Sequence, residues 1–276
     1  MRYHRAVTSP IARRRAIPPA SARPRLGRRL APAAVVVLHL ACGAGYAARV
    51  PAWEAPDEAW HLAYAEALAG GRLPRAVDTY EHHQPPLYYL WPALGLRIAG
   101  IARVPRAPDN PRYPLATAVA LHPPGDPAAP TVRWLRAFSG LLGALPVVLA
   151  WAAARAAWRR PRADGPALAA AIVVAGVPQY VFIAHAISND TLAAGCGALA
   201  TYGLVRWAAG GASRRAVACT TAGLALGWLA KLTVLPLAAA VPLAMALGLR
   251  RDRRRGDPAA SRRAVGAGAT VAGAMA

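Results

Sequence analysis

The chain has 276 residues, 56% of them hydrophobic, and a formal net charge of +21. Apolar runs of about 20 residues argue against a water-soluble core and for an all-α, polytopic transmembrane helical bundle. The charge does not point to nucleic acid, because the arginines fall in short blocks between apolar stretches and no aromatic-interleaved basic motif or zinc spacing accompanies them.

Residues 1–29 carry nine arginines, several prolines and no apolar period, which predicts a disordered basic cytoplasmic tail that orients the first span. Leu30 to Ala48 is that span, expected to run from inside to outside. Leu40-Ala41-Cys42-Gly43 faintly has the form of a lipoprotein cleavage site, but the later spans favour an uncleaved signal anchor. Cys42, Cys196 and Cys219 all lie in apolar stretches, which excludes a disulfide framework in the external loop and makes them packing residues.

A long external loop follows, about 49–133, and eight of the twelve Asp and Glu residues lie in it between Glu54 and Asp126. Two surface helices are expected there. One starts near Pro56, with Asp57 and Glu58 at the positive end of its dipole, and runs towards Gly70-Gly71. The other runs from Pro85-Pro86 towards Gly100 and lies on the membrane, with Tyr88, Tyr89 and Trp91 as interfacial anchors. Repeated prolines between Ala102 and Pro130 imply an extended stretch.

Trp134–Trp158 is the second span, ending in Arg155, Arg159, Arg160 and Arg162; Pro166–Ile187 is the third and Asp190–Trp207 the fourth. The Ser188-Asn189 turn then faces the same side as Asp57. Ala216–Leu249, as one helix, would be about 51 Å long against a hydrocarbon layer of about 30 Å. A single crossing would also export the seven arginines of Arg250–Arg263. A tight hairpin with Lys231-Leu232-Thr233 at its outer tip satisfies both constraints. Residues 251–276 are a basic loop and the start of an incomplete span, as expected of the amino-terminal part of a larger membrane protein or of a truncated frame.

On a helix opening near Asp57, His61 lies four residues from Asp57 and three from Glu58, so one face presents two carboxylates and an imidazole. The acids either cap the helix or serve chemistry; a carboxylate at a partly desolvated membrane surface suits proton abstraction from an attacking hydroxyl. His82 and His83 either hydrogen-bond their loop or join these acids on a divalent metal, although the spacing fits no compact zinc signature. Asp190 either caps the fourth span or is a second acid. A phosphate leaving group needs a cation, and Lys231, Arg136 and Arg72 are the candidates. Lys231 is the one lysine in the chain and sits in an apolar hairpin, where it either serves function or snorkels to the interface.

The run Ala55-Pro56-Asp57-Glu58 with His61 and Tyr64, then Gly71-Arg72-Leu73-Pro74, then Gln84-Pro85-Pro86-Leu87-Tyr88-Tyr89 resembles the first external loop of the GT-C membrane glycosyltransferases. Within that superfamily it is similar to the protein mannosyltransferase and aminoarabinose transferase relatives and their uncharacterised bacterial cousins. Arg136-Ala137-Phe138-Ser139-Gly140, Ser188-Asn189-Asp190-Thr191-Leu192 and the run from Gly223 to Thr233 resemble later signatures, so the likeness covers about residues 30–250. It implies transfer of a sugar from a polyprenyl-phosphate donor to a lipid or protein acceptor, with anomeric inversion. The site would be the extracytoplasmic face of a multi-pass cytoplasmic (inner) membrane protein whose amino terminus is cytoplasmic. Asp57 matches the family's first-loop general base, with Glu58 supporting it; His61, His83, Gln84, Arg136, Asp190 and Lys231 are the expected substrate contacts. No cofactor is firmly implied, a divalent metal being left open. The alternatives are a noncatalytic or truncated membrane protein, or a transporter with an acidic external site. Relatives of this type have more spans and often a carboxy-terminal soluble domain, which this chain lacks.

Overall fold

The computed structural model describes residues 27–115, 118–158 and 163–275. The tail expected over 1–29 thus lies outside the described residues except for its last three positions, and so do Arg159, Arg160 and Arg162. Among the described residues the chain is helical, with no strand and one isolated bridge between Asp109 and Ala120.

Eleven α-helices follow in order: α1 (Gly27–Arg49), α2 (Glu58–Ala69), α3 (Leu90–Ile98), α4 (Ala129–Gly143), α5 (Leu145–Ala157), α6 (Asp164–Gly176), α7 (Pro178–Ala184), α8 (Asp190–Gly210), α9 (Arg214–Ala230), α10 (Ala240–Arg254) and α11 (Ala260–Gly273). Short 3-10 segments cover Tyr80–His83 and Leu232–Ala239. Among the described residues three stretches are long and apolar enough to cross a membrane: Leu30–Arg49, Ala129–Ala157 and Leu232–Arg254. The expected third span is broken. Pro178, which cannot continue the hydrogen-bond ladder, opens α7 at a bend of 67° from α6. The expected fourth span is α8, whose Asp190, Arg206 and many small residues keep it outside the apolar set; it is instead the central helix, packed on α4, α5, α7, α9 and α10.

Ala216–Leu249 does divide at Lys231, where extended backbone separates α9 from the 3-10 segment that leads into α10. α8 and α9 meet through glycines: a β-carbon on Gly203 would lie 2.4 Å from the Thr220 nitrogen, and one on Gly223 2.3 Å from the Ala200 nitrogen. Small residues let two backbones approach this closely. His185 ends α7 with its ring between α1 and α4, so near that a β-carbon on Gly43 or Gly140 would come within 1.9 or 2.5 Å of it.

Two cores result. One joins α2, α3 and the following loop to the start of α4 and to Ile187; the other joins α8, α9, α10 and α11 around Trp207 and Leu224. The first core corrects the reading of the second surface helix. Tyr88 and Tyr89 are fully buried rather than interfacial, and Trp91 stacks on Phe138. The tyrosines precede α3 in the turn after Pro86 and spend their hydroxyls on Ser139 and His61. The exposed apolar face of α3 is Leu90, Leu94 and Ile98, whose four-residue spacing aligns them.

Candidate functional site

Glu58 opens α2 and is 1% exposed, with Arg136 of α4 equally enclosed. The guanidinium grips the carboxylate in two places, Nε to Oε1 at 2.8 Å and Nη2 to Oε2 at 2.6 Å. Its other N–H groups donate to the carbonyls of Val50 at 2.6 Å, Pro51 at 2.9 Å and Ala47 at 3.4 Å. Glu58 also accepts from the backbone N–H of Trp53 at 3.1 Å and of Ile187 at 3.3 Å. All five guanidinium donors are thereby used. The two residues expected to support the base and hold phosphate close on each other, tying the end of α1, the start of α2, α4 and the α7–α8 turn together. A charge pair this dry persists only because its hydrogen bonds are complete.

The chain on either side is bent to fit. Trp53 has φ 73° and Asp57 φ 56°, both left-handed. Such residues cost of order 1 kcal/mol and are held by their surroundings, here by the Glu58 latch. At Asp57 the consequence is exposure. Its carbonyl accepts from the N–H groups of Trp60 and His61, both at 2.9 Å, while its side chain makes no capping bond. The carboxylate lines an open groove of about 1030 Å³ with Trp60, Arg72, Arg103 and Arg106. Arg72, another phosphate candidate, is held by Asp78 through two bonds of 2.6 and 3.1 Å, which keep the Asp78 carboxyl well below its ordinary range.

A second polar group lies where the loop meets α8 and α9. The Leu87 N–H donates to the Leu229 carbonyl at 3.1 Å, joining the loop to the end of α9. Asn189, fully buried, donates to Gln84 Oε1 at 3.1 Å and to the Ala230 carbonyl at 3.4 Å, while its own Oδ1 has no partner among the described residues. The Tyr64 hydroxyl donates to the Gln84 carbonyl at 3.1 Å. Lys231 Nζ meets Asp190 Oδ1 at 2.7 Å, and Ser188 Oγ donates to the other Asp190 oxygen at 3.3 Å. Asp190 therefore spends its carboxylate on Lys231 and Ser188, and the first N–H of α8, its own, donates to Ser188 Oγ at 3.2 Å while the Asn189 side chain makes no capping bond.

His61 lies beneath this group, Nδ1 bonded to the Tyr89 hydroxyl at 2.9 Å. Burial pushes its pKa down to about 4, the Lys231 charge adding and Asp190 opposing, so the imidazole is neutral at pH 7. It can hold a hydroxyl but cannot neutralise phosphate. His82 and His83 donate through Nδ1 to the carbonyls of Thr79 and Tyr80 at 3.1 and 2.9 Å, and Gln84 Nε2 donates to His83 Nε2 at 3.3 Å. Both rings thus anchor the loop. Among the described residues no group of three or more His, Cys, Asp or Glu is placed to hold one ion.

Glu81, not singled out in the sequence, feels charges of both groups. Burial raises its pKa and the Asp57 charge adds to that, against the His83 and Lys231 charges and a hydrogen bond with Gln84. Asp190 also faces a groove of about 530 Å³ whose other walls are mostly apolar, among them Ile183, Ala193, Val234 and Leu237, with Gln179 and Thr233 the polar exceptions. Asp57 and Asp190 therefore line different cavities.

No family model, no curated protein and no solved structure matches the chain. The likeness to the GT-C enzymes rests on the motif residues alone.

Proposed function

We propose that this chain is a polytopic GT-C-type glycosyltransferase of the cytoplasmic membrane, amino terminus inside, that moves a sugar from a polyprenyl-phosphate donor to a lipid or protein hydroxyl on the outer face. The observation that carries the reading is an uncapped, exposed carboxylate at Asp57 together with a Lys231–Asp190 pair whose aspartate lines a second, largely apolar groove. A polyprenyl chain suits the groove between α7, α8 and the 3-10 segment. Its phosphate then competes with Asp190 for Lys231 Nζ, and Asp190 keeps the Ser188 hydroxyl.

In this mechanism the acceptor lies in the outer groove and Asp57 takes its hydroxyl proton. The acceptor oxygen attacks the anomeric carbon from the face opposite phosphate, the bond from that carbon to the phosphate oxygen breaks, and the configuration inverts. Polyprenyl phosphate leaves with the electron pair, its charge met by Lys231. His61 and Gln84 position sugar hydroxyls, and the buried Asn189 holds the Gln84 side chain in place for that task. Glu58 and Arg136 hold the frame on which Asp57 is mounted.

Purified chain in lipid, supplied with labelled polyprenyl-phosphate sugars and acceptors, is expected to transfer label. Asp57→Asn should lose about a hundredfold to ten-thousandfold in turnover, the contribution of a general base. Equal turnover of both proteins removes Asp57 from the role. A second reading, lipid handling or transport without covalent chemistry, is favoured by one feature: the break between α6 and α7 borders the same groove, and broken helices mark transporter sites. Donor flipping or transport by Asp57→Asn at the wild-type rate, with no sugar transfer by either protein, selects it.

A further inference from the structure

At the end of α9 opposite Lys231, two cavities join. One, of about 630 Å³, runs along α9 and α11 and is walled by small and apolar side chains such as Val217, Ala222, Ala225 and Ala267. The other, of about 430 Å³, is lined by Arg214, Arg255, Arg263, Asp252 and Asp257. Ala212, Arg214 and Arg263 belong to both linings, so the apolar trough opens directly into the charged mouth.

The charges there are not balanced. Arg263 serves both acids, pairing closely with Asp257 and reaching Asp252 at 3.9 Å. Arg214 and Arg255 are exposed and have no ion pair among the described residues. Arg214 also stands in the first turn of α9, where the helix dipole favours an anion. From Arg214 to Ala225 the trough extends about 16 Å along α9, which is about half of the ~30 Å hydrocarbon thickness, or one leaflet. A trough of leaflet depth with a cationic mouth matches a molecule having one acyl chain's length of apolar body and an anionic head.

We propose that this site binds an anionic phospholipid, its phosphate between Arg214 and Arg255 and one acyl chain along α9 and α11. The occupant follows from charge complementarity at the mouth and from the continuity of mouth and trough. The site is independent of the sugar-transfer reading, because it lies at the other end of α9 and shares no residue with the outer cluster.

The test uses the full chain in nanodiscs or mild detergent, with phosphatidylglycerol and phosphatidylcholine of identical acyl chains, and with glycerol 3-phosphate as a head without a tail. Native mass spectrometry should find saturable retention of one phosphatidylglycerol per chain over phosphatidylcholine. The surface double variant Arg214→Gln/Arg255→Gln should weaken retention roughly tenfold or more, since each basic residue near an anionic head contributes separately. Ala222→Trp, which fills the trough, should remove chain-dependent retention while leaving both arginines. Equal retention of the two phospholipids by the wild type overturns the proposal without any variant. So does tight binding of glycerol 3-phosphate alone, which makes the mouth a free-phosphate site. Dimerisation that Ala222→Trp abolishes in the absence of phosphatidylglycerol overturns it too, making the occupant a second copy.

Discussion

A single carboxylate decides where the outer loop goes. Glu58 and Arg136 lie 78 residues apart and complete one another's hydrogen bonds in a site that excludes water. Removing one partner strands the other charge, so Glu58→Gln is expected to cost about 3–5 kcal/mol, read as a lowered thermal midpoint. Adding Arg136→Met should restore part of that loss; an unchanged midpoint for Glu58→Gln would refute the latch. His61 gives a pH signature. Its pKa in the folded chain lies near 4, below the ordinary value of 6.5, so between these values the unfolded chain binds more protons. Stability is then complete above about pH 6.5 and falls as pH drops towards 4, by on the order of 3 kcal/mol at the acid end. Glu54 adds a loss only below its ordinary 4.5: burial raises its pKa, but the N–H groups of Val119 and Ala120 and the His122 ring outweigh that. Melting His61→Asn across pH 4–6.5 should give a flatter profile than wild type, and parallel profiles would remove His61 as the cause. Of these residues the sequence made Asp57 conspicuous, because an Asp after Pro at a helix start is a local signal. The Glu58–Arg136 closure was not legible, since nothing local distinguishes a paired arginine from one waiting for phosphate. Glu81 was missed for a similar reason: its pKa is raised first by burial and then by the Asp57 charge, and both follow from the fold and not from any local pattern.

Among the elements, those set by length and charge were readable and those set by packing were not. The break at Lys231 follows from a run too long for the bilayer and an arginine block that resists export, and α9 does end there. The register of α3 was misread because aromatic residues near a membrane suggest anchors, whereas Tyr88 and Tyr89 found buried partners in Ser139 and His61. The central place of α8 was also hidden, for its glycines lower its hydropathy while permitting the close contact with α9. Gly223 tests that contact. A side chain there meets the Ala200 backbone, which cannot swing aside, so Gly223→Ala should destabilise by about 1–3 kcal/mol in detergent melts. Gly197 in α8 has open space around its β-carbon position, and Gly197→Ala should be neutral or stabilising by up to about 1 kcal/mol. Equal effects at the two positions would mean that the helices are not in contact as described.

At the scale of the whole molecule, helices long and apolar enough to cross a membrane carry a folded cap with its own core, and the candidate site residues sit where the two meet. The sequence showed a long acidic loop with two surface helices, eight of the twelve acids falling in it, but not that the loop folds on a core of its own. Nor did it show how the cap is fastened. Glu58 takes one bond from Trp53, five residues away, and another from Ile187, 129 residues away. During synthesis the Glu58 carboxylate therefore cannot complete its bonds until the chain has been made beyond α7 to Ile187. The order of manufacture is thus written into one side chain: the cap stays half fastened until its partner from the α7–α8 turn exists.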